Sequence, residues 1–101
     1  MRRQPLRQTR VLLKRSAVQE LLGIGRTTLY EFVGASLLPP PIKASPSMGA
    51  GNQLVWWPSD EIEAIQSARI AGYSDAQIKA LVSKLIEARK RLEVLVPLGG
   101  Q

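Results

Sequence analysis

The chain has 101 residues, 45% hydrophobic and 22% charged, a composition that supports one small core and argues against global disorder. With no cysteine and no histidine, disulfides, thiol chemistry and the usual zinc sites are excluded by inventory, and any catalysis would fall to Asp, Glu, Lys, Ser or Tyr. The net charge of +6 is concentrated at one end: Arg2, Arg3, Arg7, Arg10, Lys14 and Arg15 come before any acid, and the remainder carries eight bases and eight acids.

Residues 1–10 therefore read as a flexible basic arm on a near-neutral domain, an arrangement that seeks an anionic partner. Nucleic acid leads, ahead of a merely solvated end or an anionic membrane surface. The apolar run Val11, Leu12, Leu13 is too short for a signal peptide, and no stretch reaches transmembrane length. The expected location is the cytoplasm, in association with the nucleoid.

After the arm, RVLLKRS offers a very short strand. A helix is then expected from Ser16, because Ser16 and Gln19 have capping-box spacing. Val18, Leu21 and Leu22 give it one apolar face, and Gly23 stops it. Ile24, between Gly23 and Gly25, suits a tight turn whose middle side chain plugs into the core. The next helix starts at Arg26 with Gly25 as its N-cap, and its apolar stripe is Leu29, Phe32 and Val33. Arg26, Thr27, Tyr30 and Glu31 lie off that stripe. Two short helices joined by a glycine-bounded turn, the second with a polar leading edge, make a helix-turn-helix.

Pro39, Pro40 and Pro41 forbid helix, and residues 45–52 are a loop by composition. PIKA and QLVWW flank that loop and are β-compatible, so a hairpin with a flexible tip, a wing, is expected. In an extended segment Trp56 and Trp57 point to opposite faces, so only one enters the core. A third helix follows Pro58, with Asp60 and Glu63 in capping-box spacing, and closes at Gly72.

Ser74 and Gln77 form another capping box, and Tyr73 with Ile78 a hydrophobic staple, at the start of a fourth helix running to about Val94. Ile78, Leu85 and Leu92 share one heptad position, and Leu81, Ala88 and Leu95 another. The stripe is either the face of a helix packed on its own domain or a seam between two chains; its reach to Leu95 favours a homodimer. Pro97 ends the helix and residues 97–101 form a tail.

With these elements placed, residues 11–65 resemble AlpA-type phage and prophage regulators, which are also close to excisionases. The residues that carry the likeness are VLLKRSAVQELLGIGRTTLYEFV, LLPPPIK and WPSDEIEAI. SDEIEAIQSARIAGYSDAQIKALVSKL is similar to the MerR pattern of an acidic-capped helix, a Gly-aromatic-Ser break and a second helix. The resemblance implies a mainly α fold with a small β-hairpin wing, a winged helix-turn-helix over 11–73, followed by an amphipathic C-terminal helix over 74–96. It also implies that the second helix enters the major groove, that the wing lies along the backbone, and that Trp57 is the core tryptophan. The chain differs from the pattern in having Gly25 at the helix cap, Glu31 after Tyr30, and a longer loop in the wing.

The phosphate-cradle reading of Gly23 and Gly25 fails, since neither the dinucleotide nor the Walker pattern is completed. For DNA, Arg26 can bridge guanine O6 and N7, and Thr27 can meet a thymine methyl or a base acceptor. Thr28 ranks below Thr27 because it can serve the helix start. Tyr30 reaches a phosphate or is partly buried against the wing. Glu31 accepts from cytosine or pairs with an arginine. Arg15 and Lys43 act electrostatically, and the arm arginines follow the backbone or enter a minor groove.

The expectation is a DNA-binding transcriptional regulator of a bacterium, phage or mobile element, not an enzyme and without cofactor or metal. Its partners are double-stranded DNA and a second copy through Ile78, Leu81, Leu85, Ala88, Leu92 and Leu95, with RNA polymerase or a recombinase as further candidates and no membrane. Two alternatives stand beside it: an excisionase-like factor that bends DNA, and a protein-interaction module that captures a partner through its last helix.

Overall fold

The computed structural model describes residues 11–43 and 54–95, with side chains described up to Leu92. The basic arm with Arg2, Arg3, Arg7 and Arg10, the loop tip 45–52, the side chain of Leu95 and the tail 97–101 lie outside the described residues. The described chain runs β1 (Leu12–Lys14), α1 (Arg15–Leu22), α2 (Arg26–Gly34), β2 (Ile42–Lys43), β3 (Val55–Pro58), α3 (Ser59–Ile70) and α4 (Asp75–Leu95). It is a small, mostly helical domain with a three-stranded antiparallel sheet of order β1-β3-β2. Among the described residues no helix is long and apolar enough to cross a membrane.

The expected hairpin is thus part of a larger sheet, because β1 pairs with the other edge of β3. Its register sets Leu12 opposite Pro58, Leu13 opposite Trp57 and Lys14 opposite Trp56, while Ile42 faces Trp56 and Lys43 faces Val55 across β2 and β3. Alternation then divides the sheet into two faces. Leu13, Val55 and Trp57 point at the core, with Trp57 fully buried and its Nε1 donating to the Pro39 carbonyl at 2.8 Å. Leu12, Ile42, Trp56 and Pro58 share the opposite face.

The core joins one to three residues from each helix with Trp57 of β3 and Leu38 of the connection after α2: Val18, Leu29, Leu38, Trp57, Ile62, Ile65, Ala68, Ile78 and Val82. Three helices end alike. The N–H of Gly23 returns to Glu20 and that of Ile24 to Gln19; Ser36 returns to Val33 and Leu37 to Phe32; Gly72 returns to Arg69 and Tyr73 to Ala68. Each is a Schellman closure, which needs one residue of left-handed backbone. Gly23 and Gly72 supply it at φ 67 and 85, and Ser36 supplies it at φ 63. A Cβ at Gly23 or Gly72 would meet nothing within 4 Å, so backbone angle and not packing requires the glycines.

Two predicted caps are not formed. The first helix starts at Arg15 behind Lys14, so Ser16 sits inside it and no side chain caps it. The third starts at Ser59 behind Pro58, again with no side-chain cap bond, so Asp60 is not its N-cap. In both places a paired strand runs directly into the helix, and the end of the ladder sets the boundary. Ser59 even prolongs the ladder: its N–H donates to the Val11 carbonyl at 2.7 Å, and its Oγ accepts the Val11 N–H at 3.0 Å. The cap at Ser74 does form, with its Oγ accepting the Gln77 N–H at 3.2 Å and Gln77 Oε1 accepting the Ser74 N–H at 2.8 Å. Tyr73 stays 44% exposed beside it while Ile78 is fully buried.

Candidate nucleic-acid interface

The turn between α1 and α2 is built from local rules. Gly23 turns the chain through left-handed backbone, Ile24 tucks its side chain against the core, and Gly25 in extended conformation (φ −84, ψ 175) launches α2. No side chain caps α2, so the N–H groups of its first turn carry the positive end of the helix dipole without a capping partner. Leu29, one turn in, is fully buried and fixes which face of the helix points outward.

That outward face carries Arg26, Thr27, Tyr30 and Glu31, all exposed, with Tyr30 at 40%. Thr28 is half-buried. Glu31 forms no ion pair with any described residue. One arginine and two hydroxyl donors on the first turns of an exposed helix have the reach and chemistry to read base edges or hold a phosphate. The helix itself is braced by α3. The Arg69 guanidinium lies 5.5 Å from the centre of the Phe32 ring, and Gln66 Nε2 donates to the Leu21 carbonyl at 2.9 Å, so α3 grips both α2 and α1.

Further basic residues stand at the end of the sheet that meets α1. Lys14 ends β1 opposite Trp56, Lys43 ends β2 opposite Val55, and Arg15 begins α1. Both lysines thus stand at the same end of the sheet, on its two outer strands and, by the register, on opposite faces. Lys14 and Lys43 are exposed; Arg15 is half-buried, and its Nε is enclosed with no hydrogen-bond partner among the described residues. Sequence reasoning singled out Arg15 and Lys43 but not Lys14. The pairing of β1 with β3, which no local pattern announces, is what places Lys14 there.

The residues assigned to dimerisation are divided by the structure. Ile78 is sealed in the chain's own core, and Leu81 and Leu85 are half-buried against it. Ala88 is exposed and Leu92 half-buried. The buried stripe of α4 also contains Val82 and Ile86, which the heptad reading passed over. The N-terminal half of the expected seam is therefore an intramolecular contact. Leu85, Ala88 and Leu92 do line a groove of about 180 Å³ together with Leu12, Ile42 and Pro58 on the second face of the sheet.

The same stripe holds Arg89, and its partner was missed. Glu61, 5% exposed, receives the Arg89 guanidinium in a bidentate pair, Nε to Oε2 at 2.8 Å and Nη2 to Oε1 at 2.7 Å. An arginine in register with buried leucines was the available signal, since such a charge needs a carboxylate beside it. Comparison of the chain with protein-family models, with curated proteins and with solved structures gives no match.

Proposed function

We propose that the chain is a winged helix-turn-helix protein of the AlpA type that binds double-stranded DNA and regulates transcription. In this reading α2 enters the major groove, with Arg26 and Thr27 toward base edges and Tyr30 toward a phosphate. The hairpin β2–β3 is the wing, and Lys14, Arg15 and Lys43 attract the backbone. A homodimer completes the reading, through Ala88, Leu92 and the end of α4.

The observation that carries it is the exposed first turn of α2, Arg26 and Thr27, set behind a glycine turn and braced from the rear by α3. The +6 charge supports the same partner. A salt titration tests it. Release of counterions from several phosphates makes the logarithm of affinity fall linearly with the logarithm of salt concentration, and Arg26→Ala should cost about 1–3 kcal/mol of discrimination at one base pair. Absence of duplex binding in low salt refutes the reading.

A further inference from the structure

Proline has no N–H, so residues 39–41 can be held by hydrogen bonds only through their carbonyls. Two of the three are held by long-range side chains: Trp57 Nε1 donates to Pro39 O, and Arg89 Nη2 to Pro40 O at 2.9 Å. This segment leads straight into β2, which has two residues and, among the described residues, pairs only with β3. So short a strand contributes little pairing of its own, and its placement rests on what precedes it. Arg89 is in turn fixed by both oxygens of Glu61, at the start of α3. One guanidinium therefore joins α4, α3 and the approach to the hairpin.

We propose that Arg89 is a positioning residue that couples α4 to the β2–β3 hairpin, so that displacement of the C-terminal half of α4 is transmitted through Pro40 to the hairpin. The consequence for DNA rests on the reading of that hairpin as DNA-facing. The coupling itself does not. A second chain seated on the C-terminal half of α4 then bears on the hairpin through Arg89 as well as through Ile42 and Pro58, which line the groove beside Leu92.

The test is amide hydrogen exchange on the full chain. The double variant E61Q/R89M removes the link to Pro40 without stranding a buried charge. Neighbouring residues of an edge strand aim their N–H groups to opposite sides, so one of Ile42 and Lys43 donates to β3, and that amide is expected to exchange about tenfold faster or more, the range of a lost hydrogen bond from a charged donor. The amides of Leu13, Leu29 and Ile65 should keep their wild-type rates. E61Q alone, which retains Arg89, should leave the hairpin as in the wild type.

Three results overturn the proposal: wild-type exchange at that β2 amide in the double variant, uniform acceleration of all amides, or equal loosening by E61Q. Should the double variant not fold, R89K takes its place with the same outcomes, since an ammonium lacks the planar fork that serves Glu61 and Pro40 together. Duplex affinity measured on the same variant separates the two ideas. A loosened hairpin with unchanged affinity leaves the coupling standing and removes the hairpin from the DNA interface.

Discussion

Ser36 holds left-handed backbone at φ 63, and among the described residues it is the one non-glycine that does so. Glycine stands two positions earlier, at Gly34, where the chain is still helical. The two residues are in each other's preferred environments. Left-handed backbone costs an L-residue about 1–2 kcal/mol, and glycine's extra freedom in the unfolded chain returns about 0.4–1 of it. Ser36→Gly is therefore expected to stabilise by about 0.5–1 kcal/mol. Gly34→Ala should add about 0.5 kcal/mol, because a Cβ there meets nothing within 4 Å and the helix gains a better former. Urea midpoints rising for both would bear this out; a fall for Ser36→Gly would mean that the serine hydroxyl matters more than its backbone angle.

At the level of elements, the same four-residue motif behaves in two ways. Ser16 and Gln19 have the spacing of Ser74 and Gln77, yet only the second pair closes its hydrogen bonds. The difference is what comes before. α4 follows a turn with no ladder to obey, so its own cap decides where it starts. α1 follows β1 directly, and the pairing of Lys14 with Trp56 keeps the chain extended until Arg15. Ser74→Ala should then cost about 1 kcal/mol, the usual loss for a removed N-cap, whereas Ser16→Ala should lie within a few tenths of zero. Chemical denaturation of both variants checks the contrast. The turn and start of α2 were legible for the same reason as α4, since Gly23, Gly25 and the stripe of Leu29, Phe32 and Val33 are instructions written within a dozen residues.

For the whole molecule, the use of α4 is the main question. Ile78 and Val82 are buried in the domain, so substitutions along the first half of the stripe act on folding. Leu85→Asp is expected to lower stability by about 2 kcal/mol or more, because a carboxylate enters a half-buried apolar site. Leu92→Asp, outside the buried core, should keep the chain folded by circular dichroism and reduce a sedimenting dimer to a monomer. If the wild-type chain already sediments as a monomer, the pairing at the end of α4 is wrong. If Leu92→Asp unfolds it, the groove beside Leu12 and Ile42 belongs to the fold and not to a second copy.

What the sequence determined by itself is everything set by neighbours: the positions of α2 and α4, the glycine turns, and the placing of Trp56 and Trp57 on opposite faces of the sheet. Periodicity, left-handed backbone and strand alternation act over a few residues, and each leaves a local mark. Tertiary structure alone decided that β1 joins β3, that Ile78 is internal, and that Arg89 binds Glu61 and Pro40 across 28 and 49 residues. Those are contacts between groups that have no reason to find each other except the closed shape of the core. Their energy comes from shared burial, which no short stretch of chain can express.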